Sequence, residues 1–185
     1  MLMPIQIPRF LDIEASSLSD SSYPIEIAWS DEKGDIESHL INPYAIEEWT
    51  DWDFYAEHKI HGLSRFMCRE IGIHPEKMCD LMSQSIKARE PIYADGGEFD
   101  ANWIDVLYGA GSTLGYAQFI VIHSDTVMLP LLMQVEPDED KRLKLYERLK
   151  MKARKIVKAQ HRAKVDVQYL IELWKLCFYL SRSGV

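Results

Sequence analysis

The chain has 185 residues, 47% hydrophobic and 27% charged, with a formal net charge of −8. Such a chain is long enough for one well-cored globular domain, expected to span residues 1–185, and its composition is ordinary for a soluble protein. No apolar run approaches the roughly 18 residues of a membrane span, since VMLPLLM, Val127–Met133, is broken by Pro130. The opening MLMPIQIPRF lacks the basic-then-apolar pattern of a secretory leader, and Cys68, Cys79 and Cys177 lack metal-ligand spacing. Reduced core thiols and a cytoplasmic location are the expectation.

Phe10–Ala15, Pro24–Ser30 and Ile36–Ile41 are short runs rich in Ile, Leu and aromatics, separated by polar or glycine-bearing turns such as DEKGD. They predict three successive antiparallel strands. After Pro43 the aromatic segment EEWTDWDFYAEHKIHGLSR is helical or irregular, and a helix is expected from about Pro75 to Lys87, with Pro75 in its first turn. Pro91–Asp95 predicts a fourth strand, Gly96-Gly97 a tight turn, and Asp100–Tyr108 a short helix ending near Gly109. Phe119–His123 predicts a fifth strand, followed by helix to the end, with one helix closing near Gln160 and another running from about Ala163 to Ser181. The pattern argues for an α/β domain with a mixed five-stranded sheet flanked by helices.

Asp12 and Glu14 stand two apart in the first strand and so share a face, while Leu11, Ile13 and Ala15 take the other. Two carboxylates side by side repel each other unless a cation lies between them, and a hard divalent ion with oxygen ligands is the usual one. An isolated D-x-E is more often a twisted edge strand with one acid in solvent. The remainder of the chain must therefore decide. Asp100 follows the fourth strand, and QHRAKVDVQYLIELW supplies His161 and Asp166. Five residues apart on one helix, the last two would point about 140° apart. They share a target only if His161 precedes the helix that carries Asp166.

In this order Asp12-Ile13-Glu14, Phe99-Asp100 and His161-x-Ala-x-x-Asp166 resemble the three motifs of the DEDD 3′-to-5′ exonucleases, in the branch whose third motif is H-x-A-x-x-D. That branch includes the proofreading subunit of the bacterial replicative polymerase, RNase T and oligoribonuclease. Ile60-His61-Gly62-Leu63 also resembles a stretch lying between the first two motifs of proofreading relatives. The resemblance spans Phe10 to about Tyr169. It departs where Asp95-Gly96-Gly97-Glu98 replaces an Asn-bearing run, placing extra acid that either perturbs the site or faces solvent.

The resemblance implies a ribonuclease H-like fold and hydrolysis of phosphodiester bonds from the 3′ end of single-stranded DNA or RNA, releasing nucleoside 5′-monophosphates. Asp12, Glu14, Asp100 and Asp166 would bind two Mg²⁺ or Mn²⁺ ions about 3.5 to 4 Å apart, and His161 would take the proton of the attacking water. Ala15, Ser16, Ser17, Leu18, His61 and Trp103 are the candidate contacts to the terminal nucleotide. Trp49, Trp52 and Phe54 are candidates for base stacking or for core. Asp105, His58, His74 and His123 are expected to be surface or structural residues. A homodimer remains open, as does the opposing reading of a non-catalytic nucleic-acid-binding or polymerase-docking module with the same fold.

Charge is unevenly distributed. Lys141–Lys164 holds eleven Lys or Arg against the single acid Glu147. Lys141, Lys144, Arg148, Lys152 and Lys155 recur at helical spacing, with Leu143, Tyr146, Leu149 and Ile156 largely on another face. The stripe is either a solvated face or a surface for the phosphate backbone.

Overall fold

The computed structural model describes residues 5–158 and 161–183. Its five strands form one sheet in the order β3-β2-β1-β4-β5, with β1 Phe10–Ala15, β2 Pro24–Ser30, β3 Ile36–Leu40, β4 Pro91–Ala94 and β5 Ile120–His123. β1, β2 and β3 pair antiparallel, and β4 and β5 join β1 in parallel register. The mixed sheet is the one expected. Three strand ends differ from expectation by a residue; Ile41, for example, leaves the ladder to bridge Ile73.

Among the described residues six α-helices flank the sheet: α1 Arg65–Ile71, α2 Pro75–Ser85, α3 Glu98–Gly111, α4 Asp125–Met133, α5 Glu139–Val157 and α6 Ala163–Ser183. Several start on side-chain caps: Ser64 Oγ accepts from the Met67 N–H at 3.0 Å, His74 Nδ1 from Glu76 at 3.2 Å, and Asp138 Oδ1 from Lys141 at 3.0 Å. Between β3 and α1 the chain makes a 3₁₀ turn, Pro43–Ala45, and a π-helical turn, Ala56–His61.

α3 is longer than expected at both ends. Gly109 does not stop it, because burial of Ile104, Leu107 and Tyr108 outweighs the roughly 1 kcal/mol helix penalty of a glycine. Gly111 serves packing instead: a Cβ there would lie 2.6 Å from the Pro75 carbonyl carbon, so α2 and α3 approach closely only without one. α5 is described as far as Val157, with Lys158 left-handed (φ 52°) after it; Gln160, where its end was expected, lies outside the described residues.

The two faces of the sheet bury separate cores. Leu11, Ile13, Ile25, Ile27 and Trp29 pack with Met78, Met82, Ile104 and Leu107 from α2 and α3. Phe10 and Ala28 pack with Met128, Val167, Leu170 and Trp174 from α4 and α6. Strand alternation puts Asp12 and Glu14 on the second face, beneath α6. The three cysteines are buried and free, as expected. No helix among the described residues is long and apolar enough to cross a membrane.

Ile27, fully buried on the central pair of strands and paired with Ile13, is a test of the first core. Ile27→Ala should cost about 2–5 kcal/mol, measured by urea denaturation.

Candidate active site

Asp12 and Glu14 project from β1 toward the start of α6, where Asp166 occupies the first turn. One carboxylate oxygen from each of the three lies within 4.8 Å of the others. Asp166 Oδ2 accepts from the Arg162 N–H at 3.3 Å, and the positive end of the helix dipole faces the group. Because Arg162 precedes the first helical residue, His161 stands outside α6, the arrangement the five-residue spacing required.

Asp100 enters from the first turn of α3, below the end of β4. It lies outside the tight trio, yet after burial its charge is the largest influence raising the pKa of Asp12. Gly96 makes its position possible, since a Cβ there would sit 2.5 Å from Asp100 Oδ2. The Gly96 backbone opposes the rise that burial causes in the carboxyl's pKa, but Asp100 Oδ2 is buried with no partner. An unsatisfied buried carboxylate oxygen beside three clustered carboxylates fits a hard divalent cation well. All the donors are oxygens, which suits Mg²⁺ or Mn²⁺ better than zinc.

Burial dominates the electrostatics. It pushes Glu14 up to about 8, helped by Asp166 and Glu26 and opposed by Arg162; it pushes Asp100 to about 7 and Asp166 to about 6. Asp12 is raised well above the ordinary carboxylate range, by burial first and then by Asp100, Asp166, Glu14 and Asp95.

The start of α6 is held by a residue the sequence did not single out. Glu26, opposite Glu14 on β2 and 3% exposed, accepts from Arg162 Nε at 2.9 Å, Arg162 Nη2 at 2.8 Å and the Ala163 N–H at 3.1 Å. One carboxylate thus ties β2 to the helix and satisfies an otherwise unpaired N–H of its first turn. Only the placement of Glu26 across from Glu14 reveals this role, since a lone acid in a β-strand carries no distinguishing spacing.

A cleft of about 570 Å³ opens above the acids, lined by Asp12, Asp95, Arg154, His161, Asp166 and Tyr169 among others. His161 is exposed at its lip. Of the two extra acids before Phe99, Asp95 faces the cleft, held by Ser124 Oγ at 3.3 Å, and Glu98 faces solvent.

At the end of β1, a register shift between Glu14 and Ala15 turns the chain outward. The Ser16 backbone is taken up by Tyr23 O and by the Asp53 N–H, Ser17 Oγ bonds Asp51, and Leu18 projects with 79% of its surface exposed. His61 is buried; its Nδ1 accepts from the Leu63 N–H at 3.0 Å, while Nε2 has no partner. Burial lowers its pKa, so the ring is neutral with its proton assigned to Nε2. Trp103 is buried with its indole N–H donated to Ser22 Oγ at 2.9 Å, and Phe99 beside it is the exposed aromatic. The aromatic segment is divided: Trp49 stacks on Tyr23 in the core at 4.9 Å, while Phe54 is 70% exposed. Asp105 and His58 are exposed, and His74 caps α2.

No family model matches the chain, and no curated protein matches it. Among solved structures the chain is similar to Escherichia coli exonuclease I. The zinc-ion-bound form of its complex with single-stranded DNA superposes with a TM-score of 0.61 and 17% identity, covering 92% of this chain and 40% of that one. Its complex with a dA16 oligonucleotide gives 0.56 and 15%, over 94% of this chain and 42% of that one. The complex with a 5cy-dA13 oligonucleotide gives 0.55 and 14%, over 92% and 40%. The fold is ribonuclease H-like. The chain spans about two-fifths of the length of these exonuclease I structures.

Two predictions follow the geometry. Burial favours the protonated carboxyls, whose ordinary values are 3.8 for Asp and 4.5 for Glu. Their contribution to stability is present below that range and is lost as pH rises through the folded values of about 6, 7 and 8. Metal-free protein should therefore melt at progressively lower temperature as pH rises across that interval, and Mn²⁺ should restore stability most at its upper end, where fewest protons need displacing. Thermal melts across pH, with and without Mn²⁺, check this; a flat metal-free profile contradicts it. Glu26→Gln, which keeps one acceptor oxygen and turns an NH2 group toward the donors that met the other, should cost about 1–3 kcal/mol in urea denaturation.

Proposed function

We propose that the protein is a metal-dependent 3′-to-5′ exonuclease of the DEDD superfamily, in the H-x-A-x-x-D branch, acting as a single domain on single-stranded nucleic acid. The reading is carried by one observation: Asp12, Glu14 and Asp166, from a strand and a helix far apart in sequence, bring carboxylate oxygens within 4.8 Å of one another. The partnerless oxygen of Asp100 supports it, and so does the fold likeness to a nuclease whose structures hold single-stranded DNA. DNA is accordingly the first substrate to test.

In this reading Asp12, Glu14, Asp100 and Asp166 hold Mg²⁺ or Mn²⁺. Divalent cations, when bound, lower the pKa of water and stabilise charge on a leaving oxygen. His161, at the open lip, accepts the proton of the attacking water, and its exposure lets that proton pass to solvent. Leu18 and Phe99 offer exposed apolar surface to the terminal base. The low barrier to reaction comes from holding water, phosphate and imidazole in register. Nucleoside 5′-monophosphates leave one at a time.

Digestion of 5′-labelled DNA and RNA oligomers, with Mn²⁺ or with a chelator, tests the proposal. Stepwise shortening from the 3′ end, abolished by chelation and by Asp12→Asn or Asp166→Asn, is expected. His161→Ala should lower kcat by roughly 10²–10⁴. Hydrolysis that survives chelation, or survives both carboxylate substitutions, rules out the mechanism; binding without any hydrolysis identifies a non-catalytic module.

A further inference from the structure

None of the five residues of the basic stripe lines the cleft above the acids. Lys141, Lys144 and Arg148 border a separate groove on α5, and Leu143 and Ile156, expected largely on another face, are exposed. Tyr146 and Ala153 are the residues that α5 buries. Arg154 lies about 120° around the helix from the centre of the stripe, on the flank of that buried side. It is this residue, outside the stripe, that reaches the cleft of Asp12, Asp95, His161 and Asp166.

The state of Arg154 is unusual for a cation beside so many acids. It takes part in none of the ion pairs among the described residues. Its guanidinium instead lies over the Tyr169 ring, 5.6 Å from the centroid. Tyr169 is itself 5% exposed and packed in the second core, so the platform under the guanidinium is rigid. A stacked guanidinium uses its face for the ring and keeps its in-plane N–H groups for an oxyanion. The one cleft-lining acid not assigned to a cation, among the described residues, is Asp95, which accepts from Ser124 Oγ.

We infer that Arg154 is a substrate-positioning residue that binds a backbone phosphate of the single strand whose 3′ end reaches the carboxylates. The inference rests on the exonuclease reading for the identity of its ligand. It adds a fixed positive charge to a cleft that otherwise repels polyanions, so a strand is held by the protein itself as well as by cations. An arginine suits this role better than a lysine because its planar fork meets two phosphate oxygens at once.

Binding of a short 5′-fluorescent single-stranded DNA, followed by anisotropy with Ca²⁺ as the divalent ion and over a range of KCl, tests it without requiring turnover. Arg154→Ala should weaken binding about tenfold and reduce the slope of log Kd against log salt by about 0.7, the loss of one single-strand phosphate contact. Arg154→Lys should keep the slope and lose part of the affinity, which guards against misfolding as the cause. Arg148→Ala, on the separate groove, should change neither. Wild-type affinity and slope in Arg154→Ala overturn the inference, as does a loss found in Arg148→Ala in its place, or a wild-type protein that binds no strand. Hydrolysis is scored separately: wild-type turnover with an unaffected Arg154→Ala sinks the subsite alone, whereas the expected binding losses without turnover sink the exonuclease reading and keep the phosphate contact.

Discussion

Crowding of like charges under one end of the sheet is the constraint around which the rest of the molecule is arranged. Asp12, Glu14, Asp100 and Asp166 are each pushed toward the protonated form by burial first and by neighbouring acids after it: Asp12 by Asp100, Asp166 and Glu14, and Glu14 by Asp166 and Glu26. Such a group persists only if the scaffold over-determines it. Here β1 lies between β2 and β4 at the centre of the sheet, with helices on both faces. The α6 dipole and the Arg162 N–H meet Asp166, and Gly96 leaves space for Asp100. What remains uncompensated is the property a cation site requires.

The Glu26–Arg162 pair shows how the rigidity is delivered. The shared register of Glu14 and Glu26 on adjacent strands means that the carboxylate anchoring α6 and a carboxylate of the site are set by the same β1–β2 ladder. Because Arg162 adjoins His161, and Asp166 lies one turn further on, anchoring the helix start positions both at once. Arg162 also moderates the charge of Glu14. A structural ion pair and the chemistry of the site are thereby inseparable.

Charge is segregated in the fold in a way that net charge conceals. The overall value of −8 suggests a poor partner for nucleic acid, yet the basic residues are gathered on α5 and the start of α6. Most of that stripe is turned to solvent, outside the cleft. The cation that matters to the cleft comes from a different face of the same helix.

Local pattern determined much of this. Period-two alternation placed Asp12 and Glu14 together, and five-residue spacing required a break between His161 and Asp166; both follow from backbone geometry that needs no partner. Strand positions were legible for the same reason. The length of α3 was not, because its glycines are tolerated only through packing against α2. Nor were Glu26 and Arg154 as parts of the site: each is an ordinary charged residue whose role depends on which neighbour the fold sets opposite it, across a strand pair or a cleft. Sequence periodicity settles which side of its own element a side chain takes, whereas only the packing of elements decides what that side meets.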